Sequence, residues 1–133
     1  MKDNIITIEI ARPVEDVFEF TINPNNTHLW IDSVIKERID TTEIGLGTKY
    51  YQVVRLIDGN QGFEQAIISA FIKNKLIEFS YIGTTYKCRY SYKSTIIGTT
   101  LTYIEEAEND EDLSMPMERS TLYKLKKILE ETL

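Results

Sequence analysis

The sequence predicts an α+β domain: a curved antiparallel sheet of about seven strands wrapped around a long C-terminal helix, with two short helices after the first strand. Three observations predict it. Residues 33–103 read almost entirely as short strands separated by turns. A strand-like stretch at 5–10 precedes them, set apart by short helical segments. A longer helical pattern closes the chain. Strands joined by tight turns pair as antiparallel neighbours, and their common apolar face needs cover. The closing helix is the only long element available to supply it.

The elements follow in chain order. Ile6, Ile8 and Ile10 alternate with Thr7 and Glu9, the period of a half-buried strand. Pro13 ends that strand and opens a helix, since its missing N–H costs nothing in a first turn. Val14, Val17, Phe18 and Ile22 give this helix one apolar face, and Asn23-Pro24-Asn25-Asn26 breaks it. A second short turn of helix is expected from Thr27 to Trp30. Strands are expected at Val34–Ile39, Thr48–Ile57, Gly62–Ile72 and Ile77–Tyr81. Tyr86, Cys88, Tyr90 and Tyr92 then alternate with Lys87, Arg89, Ser91 and Lys93, the cleanest two-faced strand of the chain. A last strand runs from Thr99 to Ile104. The final helix is expected from Ser114, as N-cap with Pro116 just inside, to Thr132. Its Leu122, Leu125 and Leu129 share a face.

Composition excludes several functions. The 133 residues carry 21 acidic and 15 basic side chains, a net charge of −6. A nucleic-acid binder that tracks phosphates should instead show a basic stripe. One Cys (Cys88) and one His (His28) cannot form an internal disulfide or a Cys/His zinc site. No cofactor or metal is expected. Thr7 and Glu9 interrupt any N-terminal apolar run, and no stretch reaches the roughly 18 apolar residues of a membrane span. A single cytoplasmic domain, monomer or homodimer, with no membrane insertion, is the expectation. Seven of the eight tyrosines fall between positions 50 and 103, on strands.

Local motifs, in order, resemble the START/SRPBCC superfamily, the helix-grip fold shared with the birch-pollen allergen family. The polyketide cyclase/dehydrase-like branch is most similar. Ile8-Glu9-Ile10-Ala11-Arg12-Pro13-Val14-Glu15-Asp16-Val17-Phe18 resembles that family's opening, and Asn23-Pro24 followed by Trp30 its "D/N-P … W" stretch. Ile44-Gly45-Leu46-Gly47-Thr48 resembles its "vGxG" turn. Gly98-Thr99-Thr100-Leu101-Thr102 and Leu125-Lys126-Lys127-Ile128-Leu129-Glu130 resemble its last strand and closing helix. A short, strongly acidic stretch before the final helix is the one departure. The resemblance implies a cavity between sheet and C-terminal helix that takes apolar small molecules: lipids, sterols, polyketides or aromatic compounds.

The candidate ligand-binding residues are Phe79, Tyr81, Tyr86, Tyr90 and Tyr103, with Trp30 and Met117 near the cavity mouth. A tyrosine ring packs on apolar ligand while its hydroxyl seeks a partner. The bland alternative is ordinary core packing. Candidate catalytic groups are Glu64, in a strand apolar on both faces, and Tyr90. Glu78 and Arg89 oppose the apolar parity of their strands and are expected to face water. His28 reads as a surface or capping residue, and Cys88 as a small buried hydrophobe. The acidic run 105–112 lacks the spacing of a calcium loop and reads as solvated. The leading reading is a module binding an apolar or aromatic small molecule, lipid- or polyketide-like. The alternatives are a cyclase/dehydratase-type enzyme using cavity Tyr and Glu, and a co-chaperone-like protein-interaction domain.

Overall fold

The computed structural model describes residues 1–131. Three helices and seven strands alternate in the order β1 (Lys2–Ile10), α1 (Val14–Ile22), α2 (Thr27–Trp30), β2 (Val34–Ile39), β3 (Lys49–Arg55), β4 (Gln61–Ile72), β5 (Leu76–Tyr81), β6 (Lys87–Thr95), β7 (Gly98–Ala107) and α3 (Arg119–Glu131). All strands join one antiparallel sheet in the order β1-β7-β6-β5-β4-β3-β2. Strands β2 to β7 each pair with their sequence neighbours, as short turns require. Strand β1 pairs with β7 at full length, Ile6 opposite Tyr103 and Ile8 opposite Leu101.

Period-two alternation sets the inner face. In β7 every second residue is buried, namely Thr99, Leu101, Tyr103, Glu105 and Ala107. In β6 the same face carries Cys88, Tyr90 and Tyr92, and in β1 Ile6, Ile8 and Ile10. Helix α3 lays Leu122, Leu125 and Leu129 onto this face, the spacing of one helical stripe. Helix α1 adds Val17, Phe18 and Ile22, with Phe18 edge-on to Phe71 and Tyr92. Helix α3 also guards the β1 edge. Arg119 Nη1 donates to the Thr7 carbonyl at 3.1 Å, and Lys126 Nζ donates to the Glu9 carbonyl at 2.5 Å. These cations occupy carbonyls that an open edge would offer to another chain.

Two expectations are corrected. The final helix begins at Arg119, not at Ser114. Pro116 lies in an exposed connector, and the Met117 N–H is drawn away to the Glu105 carboxylate, so neither starts the helix. The expected end at Thr132 lies outside the described residues. Strand β7 also runs past Ile104 to Ala107. That extension takes Glu105, the first residue of the acidic run, out of the solvent; it is 2% exposed.

Candidate functional site

Tyr90 is the hub of the inner face. Its ring is edge-on to Trp30 (centroids 6.4 Å apart), Phe79 (6.2 Å) and Tyr103 (5.0 Å), and stacked on Tyr92 (6.4 Å). The register explains the gathering. Tyr90 faces Tyr103 across β6–β7 and Ile77 across β5–β6, while Cys88 faces Phe79. Phe79 in turn meets the ring of Tyr50 at 5.0 Å. Residues that share one pleat row of neighbouring strands lie close enough for large rings to touch.

These rings fill the space under α3. Trp30 is 1% exposed, and Phe79, Tyr90 and Tyr103 are buried as well. Trp30 therefore lies inside the core and not at a mouth, which corrects its expected place. The single turn of α2 carries it inward against Tyr90. Tyr81, Tyr86 and Met117 are half-buried and border the cluster. An open cavity between sheet and helix was the expectation. The two hollows that stand out, of about 230 and 290 Å³, are instead on the outside. One lies along the α3 surface at Tyr123 and Lys127, the other between α1 and Leu129. Aromatic side chains this large fill the volume between sheet and helix themselves.

The hydroxyls divide into committed and free groups. Tyr50 donates to the Ile22 carbonyl at 2.7 Å. Thr21 Oγ donates to the Phe18 carbonyl and receives the Tyr92 hydroxyl at 2.5 Å. Tyr81 donates to Gln52 Oε1 at 3.2 Å. Tyr86 donates to Glu105 Oε2 at 2.5 Å, and Tyr103 reaches the same oxygen at 3.3 Å and Tyr86 at 3.1 Å. Asn4 Nδ2 and the Met117 N–H hold the other Glu105 oxygen. Against these, Trp30 Nε1 is buried without a partner. The Tyr90 hydroxyl has no hydrogen-bond partner among the described residues either.

Burial fixes the protonation of this surface. Desolvation pushes the hydroxyls of Tyr81, Tyr90 and Tyr103 well above the ordinary tyrosine value, so all three remain neutral donors. Desolvation likewise pushes the Cys88 thiol up to about 12, with Glu105 nearby adding to the effect. Cys88 is thus no thiolate at neutral pH. A polar strip lies at one end of the sheet's inner face, Glu37 opposite Gln52 and Gln52 opposite Glu64. Thr27 Oγ donates to Glu37 at 2.6 Å, and Gln52 Nε2 donates to its other oxygen. Burial raises the Glu37 pKa, and those two hydrogen bonds oppose the shift.

The catalytic candidates are separated. Glu64 shares the parity of Ala66 and Ile68, but its end of β4 is exposed; partial cover raises its carboxyl pKa. Tyr90 lies deep in the ring cluster. His28 is exposed. Glu78 and Arg89 sit directly opposite each other across β5–β6, on the outer face. No group of three or more His, Cys, Asp or Glu among the described residues could hold a metal ion. Glu105, Asn4, Glu37 and Gln52 are the site residues that sequence reasoning missed. Strand parity alone would have turned Glu105 inward with Tyr103.

No family model matches the chain, and no curated protein matches it. Solved structures do. Protein NE0264 from Nitrosomonas europaea aligns with a TM-score of 0.74 at 17% identity, covering 97% of this chain and 94% of that one. The AHSA1-like protein from Aeromonas hydrophila aligns with a TM-score of 0.74 at 14% identity, covering 99% and 98%. The chain has the helix-grip fold. A third helix-grip match is the di-domain ARO/CYC BexL from the BE-7585A biosynthetic pathway, with a TM-score of 0.75 at 16% identity. It is covered over 99% of this chain and 51% of that one, so this chain spans about half of the di-domain. At such identities these likenesses carry the fold, and function must come from the site. No helix among the described residues is long and apolar enough to cross a membrane.

Proposed function

We propose that this helix-grip chain binds a small, mainly apolar or aromatic molecule between the inner face of the sheet and α3. The observation that carries the reading is the unpartnered Trp30 Nε1 inside a side chain that is 1% exposed. A buried N–H without an acceptor costs about 1–3 kcal/mol. Folded proteins rarely leave one so, unless a ligand or water completes it. The Tyr90 hydroxyl, its ring edge-on to Trp30, also has no acceptor among the described residues. Both stand among rings that would stack on a flat ligand. A ligand takes its place by displacing the half-buried Met117 side chain at the cluster's edge.

The reading favours binding over catalysis. The inner tyrosines stay protonated, and the groups that shift Tyr81, Tyr90 and Tyr103 include no cation that would make one a base. Tyr90→Phe tests the proposal without disturbing the fold, because the lost hydroxyl has no partner within the chain. Unfolding free energy is expected to stay within about 0.5 kcal/mol of the parent. Affinity for 2-acetylnaphthalene, followed by quenching of the single tryptophan, is expected to fall roughly fivefold to tenfold. No saturable quenching in the parent chain, or equal affinity in the variant, would overturn the proposal.

A further inference from the structure

We infer that the site selects a neutral ligand carrying a hydrogen-bond acceptor at one end and a donor at the other, and rejects anions. The inference rests on the binding reading above. It comes from the direction of each hydrogen bond on the inner face. Tyr81 spends its hydroxyl proton on Gln52, and Tyr86 spends its own on Glu105. Each proton is committed to the protein, so these two oxygens present only lone pairs to a guest. Both rings are half-buried at the edge of the cluster. Trp30 Nε1 is the opposite case, a buried donor without an acceptor, and the Tyr90 hydroxyl too has no acceptor among the described residues. Tyr86 just precedes β6 and Tyr90 lies within it, their Cα positions about 13 Å apart along the strand direction. A guest lying along β6 therefore meets acceptors at its outer end and donors at its inner end.

Charge points the same way. The buried and half-buried inner-face residues of the seven strands include Glu37 and Glu105 but no Lys or Arg. The inner stripe of α3 is Leu122, Leu125 and Leu129. The other lysines and arginines of the sheet take the outer parity, as Lys87, Arg89 and Lys93 do, and Lys2, which shares the inner parity at the end of β1, is exposed and pairs with Asp110. A carboxylate, sulfonate or phosphate placed here would be desolvated with no counter-ion, and close to carboxyl groups. Burying an unpaired charge is the costliest exchange available to such a surface. A neutral hydroxyl-ketone suffers no such loss and completes both ends of the hydrogen-bond pattern.

The test uses three two-ring probes of matched shape on the intact chain, each followed by quenching of Trp30 and by calorimetry. The probes are 6-hydroxy-2-acetylnaphthalene, 6-methoxy-2-acetylnaphthalene and 6-hydroxy-2-naphthoate. The hydroxyl-ketone is expected to bind most tightly. The methoxy ketone, which offers no donor to Tyr81 and Tyr86, is expected to bind about tenfold more weakly. The naphthoate is expected to bind at least about 100-fold more weakly. A naphthoate that binds as well as the hydroxyl-ketone would overturn the charge selection while leaving the binding reading intact. A methoxy ketone that binds equally would overturn the donor requirement. Failure of all three to bind would overturn the binding reading, and this inference with it.

Discussion

Replacing Glu105 by alanine is expected to lower the unfolding free energy by about 3–5 kcal/mol. The carboxylate accepts hydrogen bonds from Asn4, Tyr86, Tyr103 and the Met117 N–H. It thereby joins β1, β6, β7 and the connector that leads into α3. Its loss orphans donors worth about 1–3 kcal/mol each, and water reaching the half-buried Asn4, Tyr86 and Met117 limits the total. Urea denaturation measures the effect. A loss under about 1 kcal/mol would show that these contacts are not what fastens the connector. Tyr103→Phe, which removes one donor and leaves the acceptor satisfied by three, is expected to cost only about 1 kcal/mol.

Gly98→Ala is expected to be as damaging, for a steric reason. Gly98 opens β7 with φ +149°, a backbone state that side chains disfavour. A Cβ there would stand 2.2 Å from the Ile10 carbonyl oxygen and 2.7 Å from the Arg12 nitrogen. Both are backbone atoms at the end of β1, so neither can swing aside. A loss of at least about 3 kcal/mol, or about 10 °C in Tm, is expected by thermal unfolding. Gly45→Ala is the control, since nothing lies within 4 Å of its would-be Cβ. Equal melting of the two variants would contradict the close approach of β1 to the β6–β7 turn.

These two residues show how legibility varied along the chain. The Gly98 motif stood out in the sequence, and its cause is the packing of β1 against the turn. The strands were legible because Ile77, Phe79 and Tyr81, or Tyr86 to Tyr92, alternate with polar residues over several positions. Tyr50 and Tyr51 are adjacent, and no local period separates them. The fold turns Tyr50 onto the Ile22 carbonyl, while Tyr51 lies outside under the Arg38 guanidinium at 4.2 Å. Glu105 was hidden by its acidic neighbours: a charge run looks solvated until the strand is known to continue through it. Glu37 escaped notice because a polar residue on the short edge strand β2 gives no sign of facing inward, and Gln52 because Tyr50, Tyr51, Val53 and Val54 around it show no single apolar face. Trp30 was placed at a mouth because a one-turn helix has too few residues to reveal its apolar side. The unpaired donors, which carry the functional reading, belong to tertiary packing alone and leave no trace in spacing.

The most direct measurement uses the chain's single tryptophan. Its indole N–H gives one cross-peak in a nitrogen–proton correlation spectrum, and that proton is the buried donor without a partner. The protein is titrated with 6-hydroxy-2-acetylnaphthalene. The expected result is a saturable downfield shift of the Trp30 indole proton, with slower exchange against solvent, as the ketone oxygen accepts its hydrogen bond. An indole peak that stays in place through a saturating titration, whether or not the probe binds elsewhere, would contradict a ligand site on the inner face.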